Sequence, residues 1–573
     1  MSGSNQTESP FVTRARVWLS GDPDPHTRAE LQTLIDAENH DELRERMFSD
    51  LEFGTAGLRG IVGAGSARMN LAVVMRATRA LADQLIARAH DPHTRPVVVG
   101  CDARLDSRRF ADAAVRVLVA AGIPVKRFDE PVPTPFVAFA VTAFAANAGI
   151  MITASHNPAE YNGYKLFWDN GVQVIPPTDR EIAARIATLG PARAIPVGDL
   201  ARQELIGPEI EARYLAAIRA ELPRLVGDRR LCIVYTPLHG VGARTVERLF
   251  AEAGYAEFYS VPEQREPNGH FPTVRFPNPE EPGVLDLAIA LAKRKHADLV
   301  IANDPDVDRL AIAAPTPGGR WLLLSGNQVG LLLADFALSH QIAGQRPVVV
   351  SSLVSSPMLE SIARAYGAHC ERVLTGFKWI CTAGLAFEDR SQRFAFGYEE
   401  ALGYAFGRAV RDKDGISAAL AFAELAAEAR VAGATVIERL HALYRQHGLW
   451  VSAQHSVVLG GSAGAARILQ AMQRVVDCPP RSLSGHAVSA VRDLRVPEPG
   501  APSWRSPALL VELGLGTAGR VFVRPSGTEP KLKLYVDLRI PLRASLTEAE
   551  EHGQQSALGV ARALVTALGL DAA

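Results

Sequence analysis

The sequence predicts an α/β protein in which three related α/β domains are followed by a smaller C-terminal α+β domain. Three observations carry this: a strand, loop and helix pattern that occurs three times, a second apolar run after each copy that opens into a loop of reactive side chains, and a change to period-two alternation near the C-terminus. With 573 residues, 47% of them hydrophobic, the chain can bury several separate cores, which suits about three to four domains.

The first strands are Val97-Val98-Val99, Cys232-Ile233-Val234 and Val348-Val349-Val350. Each enters a polar loop (Gly100 to Arg104, Tyr235 to Gly240, Ser351 to Pro357) and then an amphipathic stretch (Phe110 to Ala120, Val246 to Ala253, Met358 to Tyr366) that stops at a glycine, as a helix ending in a left-handed residue does. About 45 to 65 residues later come the second strands, Gly149 to Ile152, Leu299 to Ala302 and Phe394 to Phe396. Their loops hold Ser155, Asp304 to Arg309, and Glu399-Glu400. Ligands of open α/β sheets bind beyond the carboxyl ends of the strands, so each domain would present chemistry there.

Proline- and glycine-rich stretches at Leu189 to Gly198, Thr316 to Gly319 and Val496 to Pro507 divide the chain. The expected parts are a helical N-terminal extension (1–45), domain I (46–198), domain II (199–318), domain III (319–495) and domain IV (496–573). In the last, Leu532, Leu534, Val536 and Leu538 alternate with Lys531, Lys533, Tyr535 and Asp537 ahead of a helical tail from Leu546.

Lysine plus arginine (61) nearly balance aspartate plus glutamate (62), so bulk charge gives no reason to expect nucleic acid or an anionic membrane as a partner. The five cysteines form no C-x-x-C pair, which argues for a reducing compartment and for their use as small buried apolar residues. Met1 to Phe11 lacks the regions of a signal peptide, and no run reaches the roughly 18 to 20 apolar residues of a membrane span. The expectation is a soluble cytoplasmic protein.

In Asp304-Pro305-Asp306-Val307-Asp308-Arg309 the carboxylates fall at every second position, which in extended backbone puts three hard oxygen ligands on one side, a set that suits Mg²⁺. An EF-hand is excluded, because Arg309 stands where glycine is needed and Pro315 where the bidentate glutamate belongs. Ser155, just past an apolar strand, is an ordinary turn residue taken alone. Beside an acidic metal loop its hydroxyl becomes a candidate phosphoryl acceptor. Arg524-Pro525-Ser526-Gly527-Thr528 joins an arginine fork to hydroxyls and approachable backbone N–H groups, the make-up of a phosphate cradle. Gly460 to Gly464 is a literal G-x-S-x-G, with Asp493 and His552 following, but nothing around it supplies an oxyanion loop, and Ser462 reads more simply as a helix cap.

Taken in order, Thr153-Ala154-Ser155-His156-Asn157-Pro158, the Asp304 to Arg309 loop, Glu399-Glu400 and Arg524 to Thr528 resemble the α-D-phosphohexomutase superfamily. Phe53 to Gly60, Thr375-Gly376-Phe377-Lys378 and Gly397-Tyr398-Glu399-Glu400-Ala401 are similar to the branch holding bacterial phosphoglucomutases and animal phosphopentomutases. The resemblance implies a heart-shaped, four-domain monomer around one central cleft, with sugar phosphates as its partners. It implies that Ser155 is the phosphoserine and that its phosphate, with Asp304, Asp306 and Asp308, holds Mg²⁺. Arg309 would lie against the transferring group and Glu399 would bind sugar hydroxyls. Arg524, Ser526, Gly527 and Thr528 would hold the other phosphate, and Thr375 and Lys533 join the substrate set. Arg59, His156, Lys165 and Lys378 are open alternatives for orienting the nucleophile or handling its proton. A sugar bisphosphate, glucose 1,6-bisphosphate, is the implied intermediate and activator.

Many hexose enzymes of this superfamily carry Glu-x-Ser in the sugar loop, where Glu399-Glu400-Ala401 has a methyl. The expected reaction is interconversion of glucose 1-phosphate and glucose 6-phosphate. The alternatives are a phosphopentomutase acting on ribose or deoxyribose phosphates and a phosphomannomutase. From other classes come a phosphoserine-dependent phosphatase and a non-catalytic sugar-phosphate sensor.

Overall fold

The computed structural model describes residues 9–52, 57–88, 91–223, 229–316, 318–340, 344–388, 391–459, 464–525, 531–542 and 545–570. The chain divides into two compact units. The first holds Met1–Glu221, Arg230–Ala311 and Ala409–Leu420, and the second the remainder.

The first unit opens with three short helices, Pro10–Gly21, Pro25–Asp36 and His40–Met47. The first two begin at prolines, whose fixed φ suits a first helical turn, and the third is capped by the Asn39 side chain. Val12, Ala15, Leu31, Ile35, Leu43 and Met47 close a small core of their own.

A six-stranded sheet follows, built from β1 (Leu58–Ile61), β2 (Val97–Cys101), β3 (Val125–Phe128), β4 (Ala148–Ile152), β5 (Tyr161–Trp168) and β6 (Glu204–Ile206), in the order β1-β5-β4-β2-β3-β6. The central strands β2 and β4 are buried throughout, as strands covered on both faces are. Val97, Val99, Ile150 and Ile152 pack with the helices Leu71–Arg88 and Ser107–Ala120. The helix Thr134–Ala143, buried over most of its length, also belongs to this domain.

The next strands of this unit, β7 (Ile233–Thr236), β8 (Phe258–Ser260) and β9 (Leu299–Ala302), pair in parallel with β7 central. β10 (Ala311–Pro315) and β11 (Trp321–Leu323) form an antiparallel pair.

In the second unit β12 (Arg346–Ser352), β13 (His369–Val373), β14 (Gln392–Glu399) and β15 (Gly403–Phe406) make a sheet in the order β13-β12-β14-β15. The arrangement recurs: β2, β7 and β12 each lie between the next strand in sequence and the strand that leads to a reactive loop. The threefold pattern read from the sequence is therefore a repeat of topology. The helices after β2, β7 and β12 end ahead of Gly122, Gly254 and Gly367, all at positive φ.

The C-terminal sheet runs β16 (Leu449–Val458), β17 (Ser482–Leu483) and β18 (His486–Ala487) as a small separate ladder, then β19 (Ala490–Asp493), β20 (Val511–Gly514), β21 (Gly519–Pro525) and β22 (Lys531–Ile540). Its main order is β16-β22-β21-β20-β19, all antiparallel, and the helix Leu546–Ala567 closes the chain.

The alternation expected along β22 holds only in part. Tyr535 and Asp537, assigned to the polar side, are buried. Asp537 accepts from Arg520 Nε at 2.7 Å and from Ser452 Oγ at 2.6 Å. Arg520 in turn donates to the Ser355 carbonyl at 2.7 Å, so this face meets the third domain instead of water.

The cysteines also depart from expectation. Cys101 and Cys381 are buried, Cys232 and Cys370 half-buried, and Cys478 exposed, all as free thiols. Among the described residues no helix is long and apolar enough to cross a membrane.

Candidate active site

Ser155 lies three residues beyond β4 with its backbone in the left-handed region (φ 53°), which a non-glycine residue adopts only when its surroundings hold it there. It is 2% exposed. Its N–H donates to Thr153 Oγ1 at 2.9 Å, and that hydroxyl donates to Asp102 Oδ2 at 2.7 Å. The Ser155 hydroxyl donates to Asp304 Oδ2 at 2.6 Å and lies 3.2 Å from His156 Nδ1.

The three aspartates converge by a different device from the expected one. The loop after β9 is a turn, closed by Val307 N–H on the Asp304 carbonyl at 2.9 Å, with Val307 left-handed at φ 63°. Period-two spacing in an extended strand therefore does not bring them together. The turn rotates Asp304, Asp306 and Asp308 inward, where all three are buried and each offers an oxygen within 4.8 Å of the others. Two glycines make room for it. A Cβ on Gly240 would stand 2.3 Å from Pro305 Cα, and one on Gly415 would stand 2.3 Å from the Arg309 carbonyl oxygen.

Cations and a helix terminus offset this buried negative charge. Lys165 Nζ sits 2.6 Å from Asp306 Oδ2 and 2.7 Å from Asp308 Oδ2, and Lys413 Nζ lies 3.1 Å from Asp308 Oδ2. Thr134, at the start of the helix Thr134–Ala143, donates its hydroxyl to Asp306 Oδ2 at 2.5 Å and its N–H to the Asp306 carbonyl at 2.9 Å. Arg309 N–H donates to Asp304 Oδ1 at 3.1 Å.

Burial, then the charges of Asp306 and Asp308, push the Asp304 carboxyl well above its ordinary range. Burial alone would also raise Asp308, but Lys165, then Lys413 and Arg309, hold it below that range. Burial would lower the Lys165 ammonium, yet Asp306 and Asp308 keep it charged. Burial, followed by Arg309 and Arg59, drives the His156 imidazolium well below its ordinary pKa.

Asp306 Oδ1 and Asp308 Oδ1 are buried without a hydrogen-bond partner. Orphaned carboxylate oxygens inside a protein are costly, and with Asp304 they form the hard-oxygen set that a divalent cation of the Mg²⁺ type accepts. The residues present fit such an ion.

The remaining candidates separate by unit. Arg59, on β1, donates to Asn157 Oδ1 at 2.9 Å, so it reaches the serine loop. Lys378 is buried on the first turn of the helix Phe377–Ala386, its ammonium 5.6 Å from the Trp379 ring centre, and half-buried Thr375 precedes that helix. Glu399 ends β14. Glu400 accepts from Ser352 Oγ at 2.8 Å and Ser355 Oγ at 3.2 Å, which fixes the loop that carries Glu399. Arg524 and Lys533 face each other across β21 and β22. Ser526, Gly527 and Thr528 lie outside the described residues, as do Phe53 to Ala56, Pro317 and the Gly460 to Ala463 part of the G-x-S-x-G. Asp493, the acid that motif would need, is held by both prongs of Arg495 at 2.8 Å.

Sequence reasoning overlooked Lys413, Thr134, Asp102 and Arg104. Lys413 sits in Arg411-Asp412-Lys413-Asp414, a charge cluster that reads as a solvated turn but is buried at its centre. Asp102 and Arg104 stand at the carboxyl end of β2, the position where such sheets place ligands, and that was the available signal.

Four models of the phosphoglucomutase/phosphomannomutase family match in order: alpha/beta/alpha domain I at residues 50–192, alpha/beta/alpha domain II at 212–318, alpha/beta/alpha domain III at 325–447 and the C-terminal domain at 510–545. The chain belongs to this family, within the α-D-phosphohexomutase superfamily, and is an isomerase of the phosphotransferase kind, a mutase. It is 36% identical over 547 residues to a protein of Schizosaccharomyces pombe named probable phosphoribomutase, covering 91% of this chain and 92% of that one. It is also 36% identical over 556 residues to the phosphopentomutase of Mus musculus, covering 91% and 89%. Other relatives carry the names probable phosphomannomutase and glucose 1,6-bisphosphate synthase. Among solved structures, a phosphoglucomutase/phosphomannomutase family protein of Burkholderia thailandensis shares the fold, with a TM-score of 0.66 at 19% identity over 90% of this chain and 98% of that one.

Proposed function

We propose that this mutase acts on a pentose phosphate, interconverting ribose or deoxyribose 1-phosphate and 5-phosphate through a phosphorylated Ser155. The observation that carries the chemistry is the buried, left-handed Ser155, its hydroxyl 2.6 Å from Asp304 and 3.2 Å from His156 Nδ1. The sugar rests on the relatives' names, which support the pentose alternative better than the glucose reading of the motifs. Ala401 agrees with a smaller ligand, since its methyl offers no hydrogen bond to a further sugar hydroxyl.

Asp304, Asp306, Asp308 and the serine phosphate would hold Mg²⁺, which supplies charge neutralisation for a transferring phosphoryl group. In the half-reaction from a sugar bisphosphate, Ser155 Oγ attacks one phosphorus. The new Oγ–P bond forms as the bond from phosphorus to the sugar oxygen breaks. The serine proton passes to His156 Nδ1, 3.2 Å from the hydroxyl, and the same proton is handed on to the departing sugar oxygen, which becomes a free hydroxyl. Running the step backwards at the other hydroxyl returns a bisphosphate, and two such transfers isomerise the monophosphate. By the family resemblance, Arg309 would lie against the transferring group and Glu399 would bind the sugar hydroxyls. Arg524 and Lys533, two cations opposed on adjacent strands, suit the anion at the far end, together with Ser526, Gly527 and Thr528.

The test compares kcat/KM for ribose 1-phosphate, deoxyribose 1-phosphate, glucose 1-phosphate and mannose 1-phosphate, each primed with glucose 1,6-bisphosphate. A pentose should lead by at least about tenfold, roughly 1.4 kcal/mol in transition-state binding, and a hexose in the lead would reverse the sugar assignment. Peptide mass spectra should place one phosphate on Ser155, and Ser155→Ala should lose at least about a thousandfold in kcat.

A further inference from the structure

We propose that Arg104 is a positioning residue for the nucleophile, gripping the backbone of the Ser155 loop so that the hydroxyl stays aimed at the acidic turn. This rests on the reading of Ser155 as the phosphate carrier.

Arg104 follows β2 and is 4% exposed. One terminal nitrogen donates to the carbonyls of Pro158 at 2.7 Å and Tyr161 at 3.0 Å, and the other to those of Ser155 at 2.8 Å and Asn157 at 2.5 Å. A single guanidinium thus fastens four carbonyls of one loop, a task for a planar fork that an ammonium cannot copy. The Phe271 ring lies 5.0 Å from the guanidinium carbon and fixes its plane.

The far side of the same peptide is held too. Asp102 lies 3.3 Å from Arg104 Nε and accepts the Arg104 N–H at 3.0 Å. It also accepts the hydroxyls of Ser107 at 2.5 Å and Thr153 at 2.7 Å, and Thr153 Oγ1 receives the Ser155 N–H. Ser155 is therefore bound at its carbonyl by Arg104 and at its N–H by the Asp102–Thr153 pair, a closed circuit around the one residue of the loop at φ 53°. Left-handed backbone is unfavourable for serine, and this circuit offsets that strain. Without it the loop relaxes and the hydroxyl moves off line, where misplacement by about 1 Å can cost a hundredfold in rate.

The experiment uses Arg104→Lys in the full chain. We expect kcat to fall 30- to 100-fold with KM for the sugar monophosphate within twofold of wild type. Single-turnover phosphorylation of Ser155 by ³²P-labelled glucose 1,6-bisphosphate should slow by the same factor. A folded Arg104→Lys protein with kcat within threefold of wild type overturns the proposal, and so does a loss confined to KM. Should that variant not fold, Asp102→Asn decides. It keeps the side-chain volume but sets an amide against the Thr153 hydroxyl, and it should cost about tenfold in kcat at constant KM. Unchanged kcat there overturns the proposal equally. A wild-type peptide map without phosphate on Ser155 would instead sink the underlying assignment of the nucleophile.

Discussion

Lys165 joins two of the three acidic side chains and is the residue whose removal should be most revealing. Its ammonium is 2% exposed and bonded to both Asp306 and Asp308. In Lys165→Met the two carboxylates keep Lys413 and Thr134 but lose the cation they share. Breaking a buried ion pair from one side typically costs about 3 to 5 kcal/mol. Urea unfolding should show a loss of that size in metal-free protein. Saturating Mg²⁺ should restore more stability to the variant than it adds to wild type, since the ion takes over part of the neutralisation. Equal Mg²⁺ effects on both proteins would mean that the ion does not bind at these carboxylates.

At the scale of elements, one device recurs in the loops beyond β4, β9 and β14: each contains a left-handed non-glycine residue, Ser155, Val307 and Leu402. Hydrophobic periodicity shows the strands but is blind to such turns, because φ is set by what encloses the loop. Gly240 encloses the acidic loop as closely as Gly415 does. Gly240→Ala would drive a methyl into the Pro305 backbone, an overpacking that typically costs about 1 to 3 kcal/mol. Thermal melting should fall accordingly, and half-maximal turnover should need more Mg²⁺, because Pro305 joins two of the three aspartates. A lowered melting temperature with an unchanged Mg²⁺ requirement would show that the turn tolerates the shift.

For the whole molecule, the informative probe lies far from Ser155 in sequence, on the C-terminal sheet. Arg524→Lys keeps the charge opposite Lys533 but loses the planar fork with which the proposed phosphate site would grip its anion. If the proposed function holds, catalytic efficiency should drop by about 1.5 to 3 kcal/mol and released bisphosphate should rise, since a bisphosphate that turns around would depend on that grip. Ser155 should still accept phosphate from glucose 1,6-bisphosphate, more slowly. Unchanged efficiency and unchanged leakage would move the distal phosphate site elsewhere.

By itself the sequence determined the elements and their repetition. Valine-rich strands, amphipathic helices and the glycines that end them are local signals, so the runs at Val97, Ile233 and Val348 were legible. Ser155 and the three aspartates, which the fold brings together, were legible as motifs because their chemistry is concentrated in short stretches. Tertiary structure alone decided how the aspartates converge, since a turn held by Gly240 and Gly415 replaces the extended run that period-two spacing suggested. It alone brought Lys413 to Asp308 and Arg104 to the Ser155 loop, across 105 and 51 positions. It also buried Asp537, which alternation had placed in water, by setting Arg520 and the Ser355 carbonyl over that face. The physical reason is common to all of these. Charges that look solvated in one dimension are buried once distant segments supply their partners, and no local pattern records a partner that arrives from elsewhere in the chain.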